Sequence, residues 1–245
     1  MKENLVFNLN RIVVGFFVLL AVIFTYLFKY DYFFLIIINL LIVYDLLKSN
    51  LLSKSQLIYY ILSFLILYSL MLYAPFFISV YIIIITLLIL LTFITNFYIN
   101  YLFSACILIF SILFSDFLLN HREVLFLIIF ISFVNDTSAY IFGNIIKGPL
   151  IIPSISPKKT WSGTSISFFI SFIILYILGY NIFFSLLASM LLFCGDIYFS
   201  IIKRKYNLKD FSNSLSSHGG VLDRVDSIFF ILIFFKFFIL FNYVS

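Results

Sequence analysis

Between Ser200 and Asp226 the chain reads SIIKRKYNLKDFSNSLSSHGGVLDRVD, the longest hydrophilic run in a very apolar sequence. Basic side chains come first (Lys203, Arg204, Lys205 and Lys209, with Asp210), a His218-Gly219-Gly220 turn follows, and Asp223, Arg224 and Asp226 open the next apolar segment. Each type has a use with phosphate. Lys and Arg neutralise phosphate oxygens, adjacent glycines let backbone N–H groups approach an anion closely, and paired carboxylates can hold the Mg²⁺ that accompanies a nucleoside triphosphate. A solvated loop accounts for the charges but not for their order, which suggests a nucleotide site at a membrane surface.

Three further constellations lie upstream. In FVNDTSAYIFG, Asn135 and Asp136 sit inside an apolar helix. A carboxylate at a membrane helix centre costs about 2.5 to 3.5 kcal/mol, so it normally faces protein or a wet cavity. Asp136, Tyr140 and Gly143 are spaced i, i+4, i+7 and share one face; a buried hydrogen-bond network with a neighbouring helix is the alternative use. After Lys147, the three prolines Pro149, Pro153 and Pro157 exclude a continuous helix. Within SPKKTW, Lys158 and Lys159 can attract a triphosphate or an anionic lipid head group, Thr160 can hydrogen-bond a phosphate oxygen, and Trp161 suits the water–lipid boundary. A basic loop drawn to anionic lipid alone is the alternative there. Finally, Asp196, Ser200 and Lys203 repeat the i, i+4, i+7 spacing, lining one helix face with a carboxylate, a hydroxyl and an ammonium.

The stretch from Ser200 closely resembles the signature of the phosphatidate cytidylyltransferases, or CDP-diacylglycerol synthases: Ser200, then Lys203-Arg204, a spacer, Lys209-Asp210, and His218-Gly219-Gly220 followed by Asp223-Arg224-x-Asp226. The segments Asn135-Asp136-x-x-Ala139-Tyr140 and Ser156 to Trp161 resemble two further parts of that family. The resemblance implies transfer of CMP from CTP to phosphatidic acid, giving CDP-diacylglycerol and pyrophosphate for phospholipid biosynthesis. It implies Mg²⁺ as cofactor, with Asp196 and Asp223 as metal ligands and Asp226 as a second candidate. Lys203, Arg204, Lys209, Asp210, His218 and Arg224 join those aspartates in the implied catalytic set. Asn135, Asp136, Tyr140, Lys158, Lys159, Thr160, Ser200, Gly219 and Gly220 form the implied substrate-binding set. His218 is compatible with a catalytic base, a phosphate donor and a turn-stabilising hydrogen bond alike, and Asp223 and Asp226 also suit a helix N-terminus. Three positions depart from the family pattern: Ser162 stands for its usual Glu, Phe199 for a frequent acidic residue, and Ser216 for Pro or Gly. The alternatives are a CTP-dependent polyprenol or phytol kinase and, from another class, an inactive lipid-binding or transporter-like homologue, since buried Asp136 and Asp196 could line an ion path.

The elements that must position these groups are apolar helices. The 245 residues are 64% hydrophobic and 10% charged, with a mean hydropathy of +1.22, well outside the range of soluble domains. The expectation is an all-α, polytopic membrane helical bundle forming one integral domain over residues 1–245. At roughly 20 apolar residues per crossing, about nine transmembrane helices are expected, at 12–28, 32–47, 57–74, 76–95, 98–118, 123–142, 164–180, 182–202 and 227–243. The first five, over about 12–118, read as scaffold, and 123–243 as the part carrying the site. Within the scaffold, Asp45 and Asp116 lie near span ends and read as snorkelling or paired, while His121 and Arg122 read as solvated in a short loop. The first segment reads as an uncleaved anchor, with no soluble domain before or after the bundle.

Lys and Arg are concentrated in alternate loops, which predicts a cytoplasmic N-terminus and places the polar loops 143–163 and 203–226 on the cytoplasmic side. The expected location is therefore the cell inner (plasma) membrane, multi-pass, with the active site facing the cytoplasm. Expected partners are CTP, phosphatidic acid and the lipid bilayer, with no nucleic acid; a homodimer is compatible with the sequence. Cys106 and Cys194 sit in apolar segments without metal-ligand spacing and read as free thiols.

Overall fold

The computed structural model describes residues 20–49, 51–52, 54–73, 99–214 and 219–244. The expected span at 76–95, the beginning of the span at 12–28, Ser216 and His218 lie outside the described residues. Two compact units are present: Met1–Arg122 with Asp210–Asp223, and Glu123–Lys209 with Arg224–Ser245.

In the first unit, residues 20–28 are helical, followed by α1 (Asp31–Lys48), α2 (Lys54–Tyr73) and α3 (Ile99–Asn120). Helix α3 packs against both α1 and α2. Its Phe103, Ile107, Phe110, Leu113, Phe114 and Phe117 are buried, as are Ile42 and Leu46 of α1. From Cys106 to Leu118 every residue of α3 is buried, so this helix is enclosed on all sides, as an all-round apolar helix must be. Phe103 stacks on Phe211 of the returning loop, centroids 5.5 Å apart. Two polar pairs lie inside this unit: Tyr60 Oη and Ser111 Oγ lie 2.9 Å apart, and Asn120 donates to Asp116 at 2.9 Å. Arg122 is not the solvated residue expected from its loop position. Its guanidinium pairs with Asp31 at 2.8 Å, donates to the carbonyls of Thr25 and Tyr26, and lies over the Tyr26 ring. Carbonyls at a helix C-terminus lack intrahelical partners, and a guanidinium with five donors can take several at once.

The second unit begins with α4, the helix Arg122–Ile146, from its residue Glu123 onward. It continues through β1 (Leu150–Ile152), β2 (Ser156–Thr160), α5 (Trp161–Ile177) and α6 (Ile182–Lys205), and ends with α8 (Ile228–Val244); a short helical turn, α7 (Leu222–Val225), precedes α8. The all-α expectation therefore needs a correction, because the proline-rich stretch folds into an antiparallel hairpin pairing Leu150 with Thr160 and Ile152 with Ser156. Proline disfavours helix but is tolerated in edge strands and turns, so the residues that break α4 also permit the hairpin. Lys147 and Gly148 have φ of 56° and 140° where the chain turns out of α4. Helix α5 starts at Thr160, whose Oγ1 accepts from the Gly163 N–H at 3.2 Å, and α6 at Asn181, whose Oδ1 accepts from the Phe184 N–H at 2.7 Å.

Helix α6 packs against α5 and α8. Aromatic rings fill the α6–α8 seam: Phe184 lies against Phe235 at 4.9 Å, and Phe199 meets Phe229 edge-on at 5.7 Å. Helices α4 and α5 approach at two glycines; a Cβ on Gly163 would overlap the Ala139 carbonyl oxygen and come within 3.0 Å of Gly143 Cα. Small residues at such crossings let helix backbones pack closely where lipid removes the hydrophobic drive between helices.

The helices observed follow the expected spans wherever both are described. Three of them, Phe103–Asn120, Arg122–Ile146 and Ile182–Lys205, are long and apolar enough to cross a membrane, and Trp161–Ile177 and Ile228–Ile239 are shorter apolar helices. With the composition, these make the chain a membrane protein.

Two outcomes follow for stability. Gly163→Ala forces the α4–α5 crossing apart and is expected to cost about 1 to 3 kcal/mol, read as a lowered melting temperature of the detergent-solubilised protein. Phe199→Asp, which places a carboxylate where the family resemblance has one, buries that charge against Phe229 and Tyr198 at a fully enclosed position. It is expected to reduce the folded yield by size-exclusion chromatography far below that of Phe199→Leu, because an unpaired buried charge costs several kcal/mol or more.

Candidate active site

The second unit gathers charge from four elements. Lys159, the penultimate residue of β2, forms an ion pair with Asp196 of α6. One helical turn plus three residues further along α6, Lys203 lies 3.9 Å from Asp226, which stands just before α8. Asp136 of α4 is within electrostatic reach of both Lys159 and Arg224, and Lys159 in turn feels Asp226, Asp136 and Lys203. Burial pushes the Lys159 ammonium below the ordinary lysine range; Asp226 and Asp136 pull it back up, and Lys203 opposes them. Asp136, Lys159, Asp196, Lys203, Arg224 and Asp226 are thus one coupled charge network.

Local sequence explains how these side chains meet. Gly195 is the residue at which α6 touches the Asp226–Ser227 backbone, since a Cβ there would overlap the Asp226 carbonyl oxygen. That contact brings Asp226 beside the helix carrying Asp196, Ser200 and Lys203. Ser200 and Lys203 are both 8% exposed, whereas Arg204 is exposed and donates to the Ile155 carbonyl at 2.9 Å and the Leu208 carbonyl at 3.0 Å. Between the hairpin and α6 lies a small hollow lined by Ile152, Ile155, Lys159, Phe193, Ile197 and Ser200. Its walls are almost wholly apolar, although Ser156 also belongs to the lining beside Lys159 and Ser200.

Of the other expected substrate residues in this unit, Asn135 is buried and its Oδ1 accepts from Ser171 Oγ at 3.2 Å, an interhelical bond between α4 and α5. Tyr140 is 66% exposed. Thr160 serves as the α5 cap, with its Oγ1 3.2 Å from Ser162 Oγ. Ser162 itself donates to the Lys147 carbonyl at 2.6 Å, so this departure from the family pattern ties the two ends of the hairpin region together. Lys158 lies on β2.

The first unit holds the rest of the motif. Asp223 Oδ2 accepts from the backbone N–H groups of Phe211 and Gly220, each at 2.9 Å. Gly219 adopts φ of 81°, and a Cβ there would lie 2.9 Å from Asp223 Oδ2. The glycines do let backbone approach an anion, and within this unit the anion is the side chain of Asp223. Lys209, assigned to the second unit, is exposed, and Asp210 of the first is half-buried. His218 is outside the described residues.

Asp45, read from the sequence only as a snorkelling or paired residue near a span end, is paired. This α1 residue is fully buried, with Ser212 Oγ donating to Oδ1 at 2.6 Å and the Leu222 N–H donating to Oδ2 at 2.9 Å. The available signal was a carboxylate in an apolar helix, the same signal that singled out Asp136.

For a divalent cation, Asp196 and Asp226 of the second unit offer hard carboxylate oxygens. The Lys159 ammonium already bound to Asp196 shows that the network suits a positive charge. Among the described residues no three acidic, His or Cys side chains gather as a closed metal cage. Mg²⁺ commonly takes one or two carboxylates and fills its octahedron with water and substrate phosphates, so residues of the type of Asp196 and Asp226 could hold it.

Comparison with known proteins bears on what such a network serves. A phosphatidate cytidylyltransferase of Rickettsia typhi is 33% identical, with 44% of this chain and 55% of that protein covered. The phosphatidate cytidylyltransferase of Aquifex aeolicus is 35% identical, covering 52% of each, and an uncharacterized Escherichia coli protein, YnbB, is 33% identical, covering 39% of this chain and 35% of its own. The chain spans about half the length of these curated cytidylyltransferase relatives. The model of the cytidylyltransferase family matches residues 9–242, taking in both units and every charged group described above. The chain belongs to the cytidylyltransferase family.

Proposed function

We propose that this protein is a phosphatidate cytidylyltransferase, transferring CMP from CTP to phosphatidic acid to give CDP-diacylglycerol and pyrophosphate. The observation that carries the reading is the mixed-charge network of Asp136, Lys159, Asp196, Lys203, Arg224 and Asp226 in a chain matched to the family almost end to end. Carboxylates alone would repel a triphosphate and ammonium groups alone would not hold its metal; this network has both.

In the proposed reaction an oxygen of the lipid phosphate attacks the α-phosphorus of CTP. The new P–O bond forms as the bond to the bridging oxygen of the β-phosphate breaks, and pyrophosphate leaves with that electron pair. A phosphate monoester has its second pKa near 6, so the nucleophile is already ionised at neutral pH and needs no strong base. The protein's work is then positioning and neutralisation of charge. Lys203 and Lys159, both lodged among carboxylates, supply fixed positive charge; Arg204, Arg224, Lys158 and Lys209 add to it. Ser200, buried on the Lys203 face of α6, can donate to a phosphate oxygen. The resemblance implies Asp196 and Asp223 as ligands of Mg²⁺, with Asp226 as a second candidate; of these, Asp196 and Asp226 belong to the second unit's network, where a bound Mg²⁺ would supply neutralisation of the triphosphate.

A membrane-embedded chain lets acyl tails remain in lipid while the head group reaches polar residues. The Lys and Arg distribution supports a cytoplasmic N-terminus and a cytoplasm-facing site in the inner membrane, the side on which CTP is available.

The purified protein in lipid–detergent micelles, given labelled CTP and phosphatidic acid, is expected to form CDP-diacylglycerol with Mg²⁺ and none after chelation. Lys203→Met, which keeps side-chain length and removes the charge, is expected to lower kcat on the order of 100-fold. No CDP-diacylglycerol from CTP labelled at the α-phosphate, or full activity in that variant, would overturn the reading.

A further inference from the structure

The scaffold helices contribute a group that acts on the loop bearing the Asp223 motif. We propose that Asp45 is a positioning residue: it holds the backbone on both sides of Gly219-Gly220 in the shape that fixes the Asp223 carboxylate, and turnover depends on that hold. This rests on the reading of Asp223 as part of the reaction's machinery.

The geometry within this unit is specific. Asp45 is fully enclosed, 177 residues from Leu222 in sequence, and its two oxygens divide between two points of the loop: Ser212 Oγ before the glycines and the Leu222 N–H after them. The third contact is backbone, because a Cβ on Gly220 would overlap Asp45 Oδ2. Ser212 Oγ passes the restraint on, accepting from the Ser214 N–H at 3.0 Å. On the loop's other side, Asp223 Oδ2 accepts from Phe211 and Gly220, the residues flanking the ones Asp45 holds. Thus the two carboxylates grip adjoining points of one short backbone, and Gly220 lies between them. A charged acceptor makes stronger bonds than a neutral one, and no water replaces it in an enclosed site. Removing its charge loosens the frame in which Asp223 sits without touching Asp223. The length of the side chain matters equally, since the Gly220 backbone leaves no room for a longer one.

The test uses full-length protein in micelles and two variants, Asp45→Asn and the milder Ser212→Ala. Hydrogen–deuterium exchange is read at the amides of Gly220 and Leu222, and kcat is measured per folded molecule, counted by size-exclusion chromatography. The expected result is exchange at least about tenfold faster at those amides, unchanged exchange in α3, and kcat lowered by about 10- to 100-fold in Asp45→Asn, the range for partners that orient a working group. Ser212→Ala should shift both readouts in the same direction by less, and it decides the matter if Asp45→Asn does not fold. Faster exchange with undiminished kcat would reduce Asp45 to a structural residue and overturn the proposal, as would unchanged exchange at Gly220 and Leu222. A wild-type protein that makes no CDP-diacylglycerol would overturn the functional reading and the turnover claim with it. That failure is recognised because it appears before any substitution.

Discussion

Charge taken out of water must find a partner in the protein, and in a chain this apolar that requirement governs where every ionisable side chain goes. A lone carboxylate or ammonium inside such a structure costs several kcal/mol, while a paired one can be retained. The network of the second unit obeys this rule: Lys159 lies on Asp196, Lys203 approaches Asp226, and Asp136 lies within electrostatic reach of Lys159 and Arg224. The first unit obeys it differently. There Asp45 and Asp223 accept from backbone N–H groups, and Asp45 also from a hydroxyl. Charge pairing suits groups that must exchange partners with an arriving phosphate, whereas N–H groups suit carboxylates that shape a loop.

Glycine placement is the backbone side of the same economy. Gly195 lets α6 touch the Asp226–Ser227 backbone, Gly163 and Gly143 let α4 and α5 cross closely, and Gly220 admits Asp45. In a chain with only eight glycines, these sit where a side chain would separate elements that bear functional groups. The aromatic residues do the complementary work of filling. Phe199 occupies a position that bears an acidic residue in the family resemblance, and it is packed into the α6–α8 seam away from any role in charge.

Much of this was legible in the residues. Apolar run length marked the helices, because a membrane crossing needs a stretch of fixed extent; 99–120 and 182–205 fall within a few residues of the expected spans. The i, i+4, i+7 spacing put Ser200 and Lys203 on one face of α6, and both are buried there. It did less well for Tyr140, which shares a nominal face with Asp136 yet is mostly exposed, because spacing defines a face but not what covers it. The hairpin was hidden because prolines say where a helix stops without saying what replaces it. Asp45 and Arg122 were hidden for a deeper reason: their partners lie 167 and 91 residues away, and nothing local distinguishes a carboxylate that will be gripped from one that will reach for water.

The hairpin carries an implication for how this chain can tolerate change in length. Side chains alternate sides along a strand, so shifting β2 by a single position would send the residue at 159 to the opposite side. Its far end is pinned by the Thr160 cap on α5 and its near end by the turn at 153–155, and the pairing already absorbs a bulge between Leu150 and Ile152. An insertion or deletion of one residue after that bulge has nowhere to be taken up except in the aim of the ammonium, whereas the same event in a helix-joining loop only alters slack. The connection between α4 and α5 is therefore a gauge of fixed length, and its residue count is as much a part of the charge network as the lysine it carries.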